Sequence, residues 1–173
     1  VESMEEAQIC LQQEGVASLQ IIFNVFRQKA ITAIFKEAQE KQVAIIVRLP
    51  LASGLLSGKL NGESKFAKND HRNFNRDGQE FNVGETFSGL PFEKGVELVE
   101  GLKNITPENL SQFALRWVLD FDAVTVVIPG SKIPQQVANN CAASALPPLT
   151  EETHRALSDF YFKDVSPHIR GKY

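Results

Sequence analysis

The segment Val43–Leu49 restricts the fold more than any other part of the chain. Every residue in it is apolar except Arg48, and the in–out alternation of a half-buried strand is missing. A short run of this kind reads as a parallel strand covered on both faces. Two more apolar runs, Val16–Phe26 and Ala123–Ile128, read as strands of the same sheet. Helical patterns separate them. Ser3 and Glu6 stand as a capping box for a helix over about 4–13. Ile31, Ile34, Phe35 and Ala38 give a helix over 29–41 its apolar stripe. Further helices are expected over 92–103, from Thr106-Pro107 onward, over 133–141, and from Thr150 to about Phe162. In the helix after Pro107, the residues Leu110, Phe113, Ala114, Trp117 and Val118 share one face. Residues 53–90 are polar, contain glycine and are too long for a plain connection, so they are a candidate functional loop. The tail over 164–173 has no readable pattern.

Helices alternating with strands predict a parallel α/β architecture. The glycine-rich dinucleotide fingerprint of a doubly wound sheet is absent. Three strands are visible, whereas eight close a (β/α) barrel. Residues 1–173 therefore read as a single partial domain, the C-terminal portion of a TIM (β/α)8 barrel. The net charge is −3, with no basic block, which argues against nucleic acid as a partner. No apolar run approaches the roughly 18 residues of a membrane span, and no stretch reads as a signal peptide. Cys10 and Cys141 lack metal-ligand spacing and read as reduced, buried, structural residues of a cytoplasmic protein. The chain opens at Val1 and enters a helix almost at once. A piece cut from something longer is expected.

The clearest site signal is Ile128-Pro-Gly-Ser-Lys-Ile-Pro-Gln-Gln-Val-Ala-Asn-Asn140. An apolar strand stops at Pro129-Gly130, and Ser131 and Lys132 precede a helix. A cation there opposes the helix macrodipole, unless an anion held by free N–H groups sits with it. Gln136, Asn139 and Asn140 follow at roughly one-turn spacing and can share a face. The group reads as a site for a phosphate with a sugar or base beside it.

Several segments together resemble bacterial aldo-keto reductases. Pro50-Leu-Ala-Ser-Gly-Leu-Leu-Ser-Gly-Lys59 is similar to the family's loop after strand seven, and Ile128–Asn140 to its segment after strand eight. Leu19–Phe26 matches its strand six, while Asp70–Arg76 and Gly84–Phe87 resemble linkers of one bacterial subgroup. The resemblance runs along the whole chain and corresponds to the second half of a family member. It implies the following roles. Gln20 hydrogen-bonds the nicotinamide carboxamide. Arg48 stacks on the nicotinamide ring, where many members have an aromatic residue. Leu51, Ser53 and Lys59 line the pyrophosphate. Lys132 meets the adenosine 2′-phosphate, which selects NADP (NADPH), and Gln136 and Asn140 approach the adenosine. The family's catalytic Asp, Tyr, Lys and His belong to its first four strands and have no counterpart here. His71, His154 and His168 match no catalytic motif.

Each residue also has a plainer reading. Gln20 could bond neighbouring backbone, and Arg48 could form a structural ion pair. Lys59 could be solvated, and Ser131 could cap the helix. Gly54 and Gly58 fit a turn better than a ligand. Arg72 and Arg76 could fold over the cofactor or lie in solvent, while Asp70 and Glu85 have no identifiable partner. The resemblance implies an NADP-dependent oxidoreductase that reduces aldehydes and ketones. This half would supply the cofactor site and would need the missing N-terminal half or self-association. A non-catalytic nucleotide-binding or regulatory module, or an inactive truncated-gene remnant, are the alternatives.

Overall fold

Parallel pairing organises the computed structural model, which describes residues 1–106 and 109–173. Strands β1 (Ser18–Ile22), β2 (Ala44–Arg48) and β3 (Val124–Val127) form one sheet in the order β1-β2-β3. Both pairings are parallel, and a register shift lies between Ile45 and Ile46. This is the partial α/β barrel that the sequence predicts. The helices are α1 (Met4–Leu11), α2 (Ala30–Ala33), α3 (Phe35–Glu40), α4 (His71–Phe74), α5 (Phe92–Leu102), α6 (Leu110–Leu119), α7 (Pro134–Ala142) and α8 (Glu151–Phe160). Ser3 caps α1 through the reciprocal box with Glu6, and Thr150 caps α8.

One face of the sheet carries the core. Leu19, Ile21, Ile45 and Val47 are buried there with Ala7, Phe35, Leu98 and Trp117 from the helices. The Phe23 ring packs 4.9 Å from both Phe35 and Trp117. The whole stripe Leu110, Phe113, Ala114, Trp117 and Val118 is buried, as its spacing predicts. The other face differs from expectation. Gln20, Ile46 and Val126 form a cross-strand row in which Gln20 is exposed, Ile46 half-buried and Val126 42% exposed. β2 is therefore covered on one side, because among the described residues only one layer of helices packs on the sheet.

Other boundaries also shift. The strand predicted to run to Phe26 stops at Ile22. Asn24 and Arg27 exchange backbone hydrogen bonds instead, and the Asn24 side chain accepts from the Phe26 N–H (3.0 Å). Phe23, Val25 and Phe26 are apolar because this turn is fully buried, not because it is extended. The helix over 29–41 is broken at Ile34, whose φ of −138° leaves the helical region. α6 starts at Leu110 with Asn109 as its cap, and the proposed start at Pro107 lies outside the described residues. The cap of α7 is Ile133, not Ser131. The cysteines are free, but neither is in the core: Cys10 is half-buried and Cys141 exposed, since α7 buries no residue. The long loop is ordered into short helical turns at Ala52–Ser57, α4, Val83–Glu85 and Phe87–Gly89. No described helix is long and apolar enough to cross a membrane.

β1 and β3 are sheet edges, and Val126, Ile128, Ile133 and Val137 beside β3 are 42–55% exposed. Unpaired edges and an open apolar face favour association. The 173-residue chain alone is expected to self-associate, with a sedimentation coefficient that rises with concentration. The double substitution Val126→Lys, Ile128→Lys should reduce this. A wild-type monomer with a sharp, concentration-independent melt would refute it.

Candidate functional site

Three parallel strands end at the same edge of the sheet, so the segments leaving them meet there. They are residues 23–29, 49–90 and 128–133. Arg48 closes β2 at this edge. Its Nη2 donates to Glu2 Oε1 (3.2 Å) and the Val1 carbonyl (3.1 Å) and forms an ion pair with Glu85 Oε1 (2.8 Å). Glu85, without a visible partner in the sequence, is thus half of an ion pair. Arg48 Nη1 and Glu2 Oε2 are buried and have no partner among the described residues. Burial pushes the Glu85 carboxyl above its usual range. The neighbouring Glu2 charge adds to that, while Arg48 opposes it. Gln20 lies within β1 on the open face, two register positions before the Ile22–Arg48 pair.

The backbone after β2 is strained. Leu49, Ala52 and Ser53 all have positive φ (48–56°), as do Phe87 and Ser88 (53° and 59°) across from them. Non-glycine residues rarely adopt this conformation, and such outliers gather at functional sites. Side chains hold the two strained stretches together. Ser53 Oγ donates to the Glu85 carbonyl (3.2 Å) and accepts from the Phe87 N–H (3.1 Å). Asn24 Nδ2 donates to the Leu49 carbonyl (2.9 Å) and to Ser88 Oγ (2.8 Å). Leu51 is half-buried, and its carbonyl closes the turn by accepting from Gly54 and Leu56. Lys59 is exposed just past that turn.

Lys132 is exposed and makes no ion pair among the described residues. Its backbone N–H donates to Gln136 Oε1 (2.7 Å), and Asn140 Nδ2 donates to Ser131 Oγ (2.9 Å). Gln136 and Asn140 thus fold back on the Gly130–Lys132 turn. Asn139 does not join them: its side chain accepts from Gln135, and its carbonyl accepts from Gln112 of α6. The loop after β2 reaches this segment. Burial holds the His71 imidazole below its usual pKa, and the Arg72 and Lys132 charges lower it further against the opposing pull of Asp70.

Arg72 and Arg76 do not lie in solvent. Arg72 pairs with Asp70 (2.7 Å), donates to the Ser53 carbonyl (3.4 Å) and sits 4.3 Å over the Phe66 ring. Arg76 lies 4.9 Å over Phe92. Asp70, apparently unpaired in the sequence, also caps α4 by accepting the Arg72 N–H. His154 is structural: it contacts Asp120 at 2.9 Å and packs on Trp117 and Phe121. Three functional candidates escaped the sequence reading. Asn24 is a polar residue in an apolar run, the same signal that singled out Gln20. Arg27 is 2% exposed, and burial pushes its pKa down to about 10. A Cβ at Gly84 would collide with its guanidinium. The third, Arg170, lies in the tail. The concavities near α2–α3 (about 350 Å³) and between α1 and the tail (about 480 Å³) lie away from Lys132 and the Ala52–Ser57 turn.

Comparison with known proteins agrees with the fold. The family model described as "Aldo/keto reductase family" matches residues 1–161. Aldo-keto reductase str7 of Strobilurus tenacellus is 30% identical over 143 residues, which cover 79% of this chain and 40% of that protein. The glycerol dehydrogenase AKR11B4 of Gluconobacter oxydans superposes with a TM-score of 0.71 at 25% identity, over 99% of this chain and 50% of the other. The aldo-keto reductase AKR11C1 of Bacillus halodurans, in its holo form, gives 0.66 at 22% identity over 91% and 47%. The chain thus spans about half the length of the relatives it matches.

The Arg48 cluster has a pH signature. Arg48→Met leaves Glu2 and Glu85 without their cation. The loss should be about 2–3 kcal/mol, below the roughly 3–5 kcal/mol of a fully buried pair, because Glu85 is 24% exposed. A carboxyl raised in the folded state contributes stability that is present below its ordinary value of 4.5 and lost as pH rises through the raised value. Removing Arg48 raises it further. The gap in melting temperature between wild type and variant should therefore be widest near neutral pH and shrink towards pH 4.5. A gap that does not change with pH would mean Arg48 acts by packing alone.

Proposed function

Since the chain belongs to the aldo/keto reductase family, we propose that it supplies the cofactor-binding half of an NADP(H)-dependent oxidoreductase acting on aldehydes or ketones. One observation carries this reading. A strained turn, an arginine whose buried Nη1 has no partner among the described residues, and a lysine without an ion pair among them share the edge where the strands end. Such an arrangement fits an anionic dinucleotide. The cofactor, when bound, supplies the hydride. The protein's share is to bind and orient it.

Gln20 and Arg48 would address the nicotinamide end. Arg48 is anchored by two carboxylates, so its planar guanidinium is held rather than free to swing. Leu51, Ser53 and Lys59 would flank the pyrophosphate. The Ser53 hydroxyl already bridges Glu85 and Phe87, so its contribution there is to fix the turn. Gly130, Ser131 and Lys132 would receive the 2′-phosphate, with Gln136 and Asn140 beside the adenosine. Asn139, whose side chain accepts from Gln135 of the same helix, would stand beside them. A cytoplasmic location suits the two free thiols. The carbonyl substrate would be met only in an intact enzyme.

Lys132 tests the choice of cofactor. A charge-assisted hydrogen bond to phosphate contributes roughly 1.5–3 kcal/mol, about tenfold or more in affinity. In the chain joined to its missing N-terminal half, Lys132→Ala should weaken NADPH binding by that factor, leave NADH nearly unchanged, and be mimicked in part by added salt. Fluorescence titration of both cofactors measures it, and equal losses would remove the support for NADP.

Catalysis is a separate test. No residue here matches the family's general acid, and losing a positioned acid slows a reaction by about 10²–10⁴. The purified 173-residue chain should not oxidise NADPH with an aldehyde. Turnover at ordinary enzyme rates would overturn the division of labour proposed here.

A further inference from the structure

Among the described residues, Arg170 makes more long-range hydrogen bonds than any candidate site residue. Its Nε donates to the Gly89 carbonyl (3.0 Å), and its Nη2 to the carbonyls of Leu90 (3.1 Å) and Arg76 (3.3 Å). Its Nη1 pairs with Asp77 (2.6 Å). Its backbone N–H also reaches the Gly89 carbonyl (3.1 Å). The fit is close: a Cβ on Gly89 would lie 2.9 Å from the Arg170 carbonyl. The tail is anchored a second time at Tyr173. Its hydroxyl contacts that of Tyr161 (3.0 Å), and its ring lies under Arg27 (4.9 Å). Arg27 in turn donates to the Ser88 carbonyl (3.4 Å).

These contacts bracket a short stretch. Arg170 holds residues 76–77 and 89–90, and between them lie Glu85, which pairs with Arg48, and Phe87, whose N–H donates to the Ser53 hydroxyl oxygen. A fork of donors on backbone carbonyls fixes position and leaves side-chain identity free. We infer that Arg170 is a positioning residue: it sets the loop over 76–90 so that Glu85 and Ser53 hold Arg48 and the strained turn in the geometry that binds the nicotinamide cofactor. The cofactor part of this inference rests on the function proposed above. The positioning part does not.

Hydrogen exchange and cofactor titration on the same protein test the two parts separately. In Arg170→Ala, amides of residues 85–90 should exchange about tenfold faster or more, the effect of losing charge-assisted hydrogen bonds. The Phe87 N–H is the most direct reporter, and the sheet amides should be unchanged. NADPH affinity should fall by about tenfold. Arg170→Lys keeps a charge for Asp77 but loses the fork, so it should restore only part of either effect. Asp77→Asn should reproduce a smaller loss in both. Unchanged exchange at 85–90, or faster exchange throughout the sheet, would overturn the positioning role. Faster exchange at 85–90 with undiminished NADPH affinity would overturn its link to the cofactor. A wild-type chain that does not bind NADPH, either alone or joined to an N-terminal half, would sink the proposed function, while the exchange data would still judge the strap.

Discussion

Parallel strand pairing is the constraint on which the rest depends. Strands that run the same way must each be followed by a crossover, so every strand delivers its exit segment to one edge. Here that brings Asn24, Leu49–Ser53 and Pro129–Lys132 together from distant parts of the sequence. The helices that make the crossovers also cover one face of the sheet and leave the row Gln20, Ile46, Val126 open. The position of the candidate site and the open face have the same cause.

At that edge the backbone takes five non-glycine residues into the left-handed region. Each costs about 1–3 kcal/mol, so the surroundings must hold them. They are held mostly by uncharged polar groups: Asn24 joins Leu49 to Ser88, and Ser53 joins Glu85 to Phe87. The charged groups sit one layer out. Arg48 lies between two carboxylates and Arg72 beside Asp70, and Arg170 reaches across the loop. Such an arrangement keeps strain at the site without leaving the turn free to relax.

Periodicity made the helices legible. The stripe from Leu110 to Val118 and the caps at Ser3 and Thr150 are local signals, and local geometry realises them. The same reading failed at Phe23–Phe26, where burial imitates a strand, and at Ile34, where a regular stripe hides a break. Asp70 and Glu85 looked alike in the sequence. One pairs with an arginine two residues away, the other with a strand end far back in the chain, and only the first kind of pairing leaves a trace in spacing. Arg170 was invisible for a different reason: most of its partners are carbonyl oxygens, which every residue has. Of the candidate site residues, Lys132 with Gln136 and Asn140 was legible from the motif itself. Asn139 differs from them through partners its spacing does not show: Gln135 on its own helix and Gln112 of α6.

The tail contact has a consequence for how the chain comes into being. Arg170 bonds to groups 80–94 residues earlier in the sequence, among the longest closures in the molecule. Closing such a span costs entropy that no local structure returns in advance. A polypeptide made from its N-terminus has its three strands and its long loop already synthesised before residue 170 exists. The edge that gathers the three exit segments is therefore finished last, by a residue that belongs to none of them.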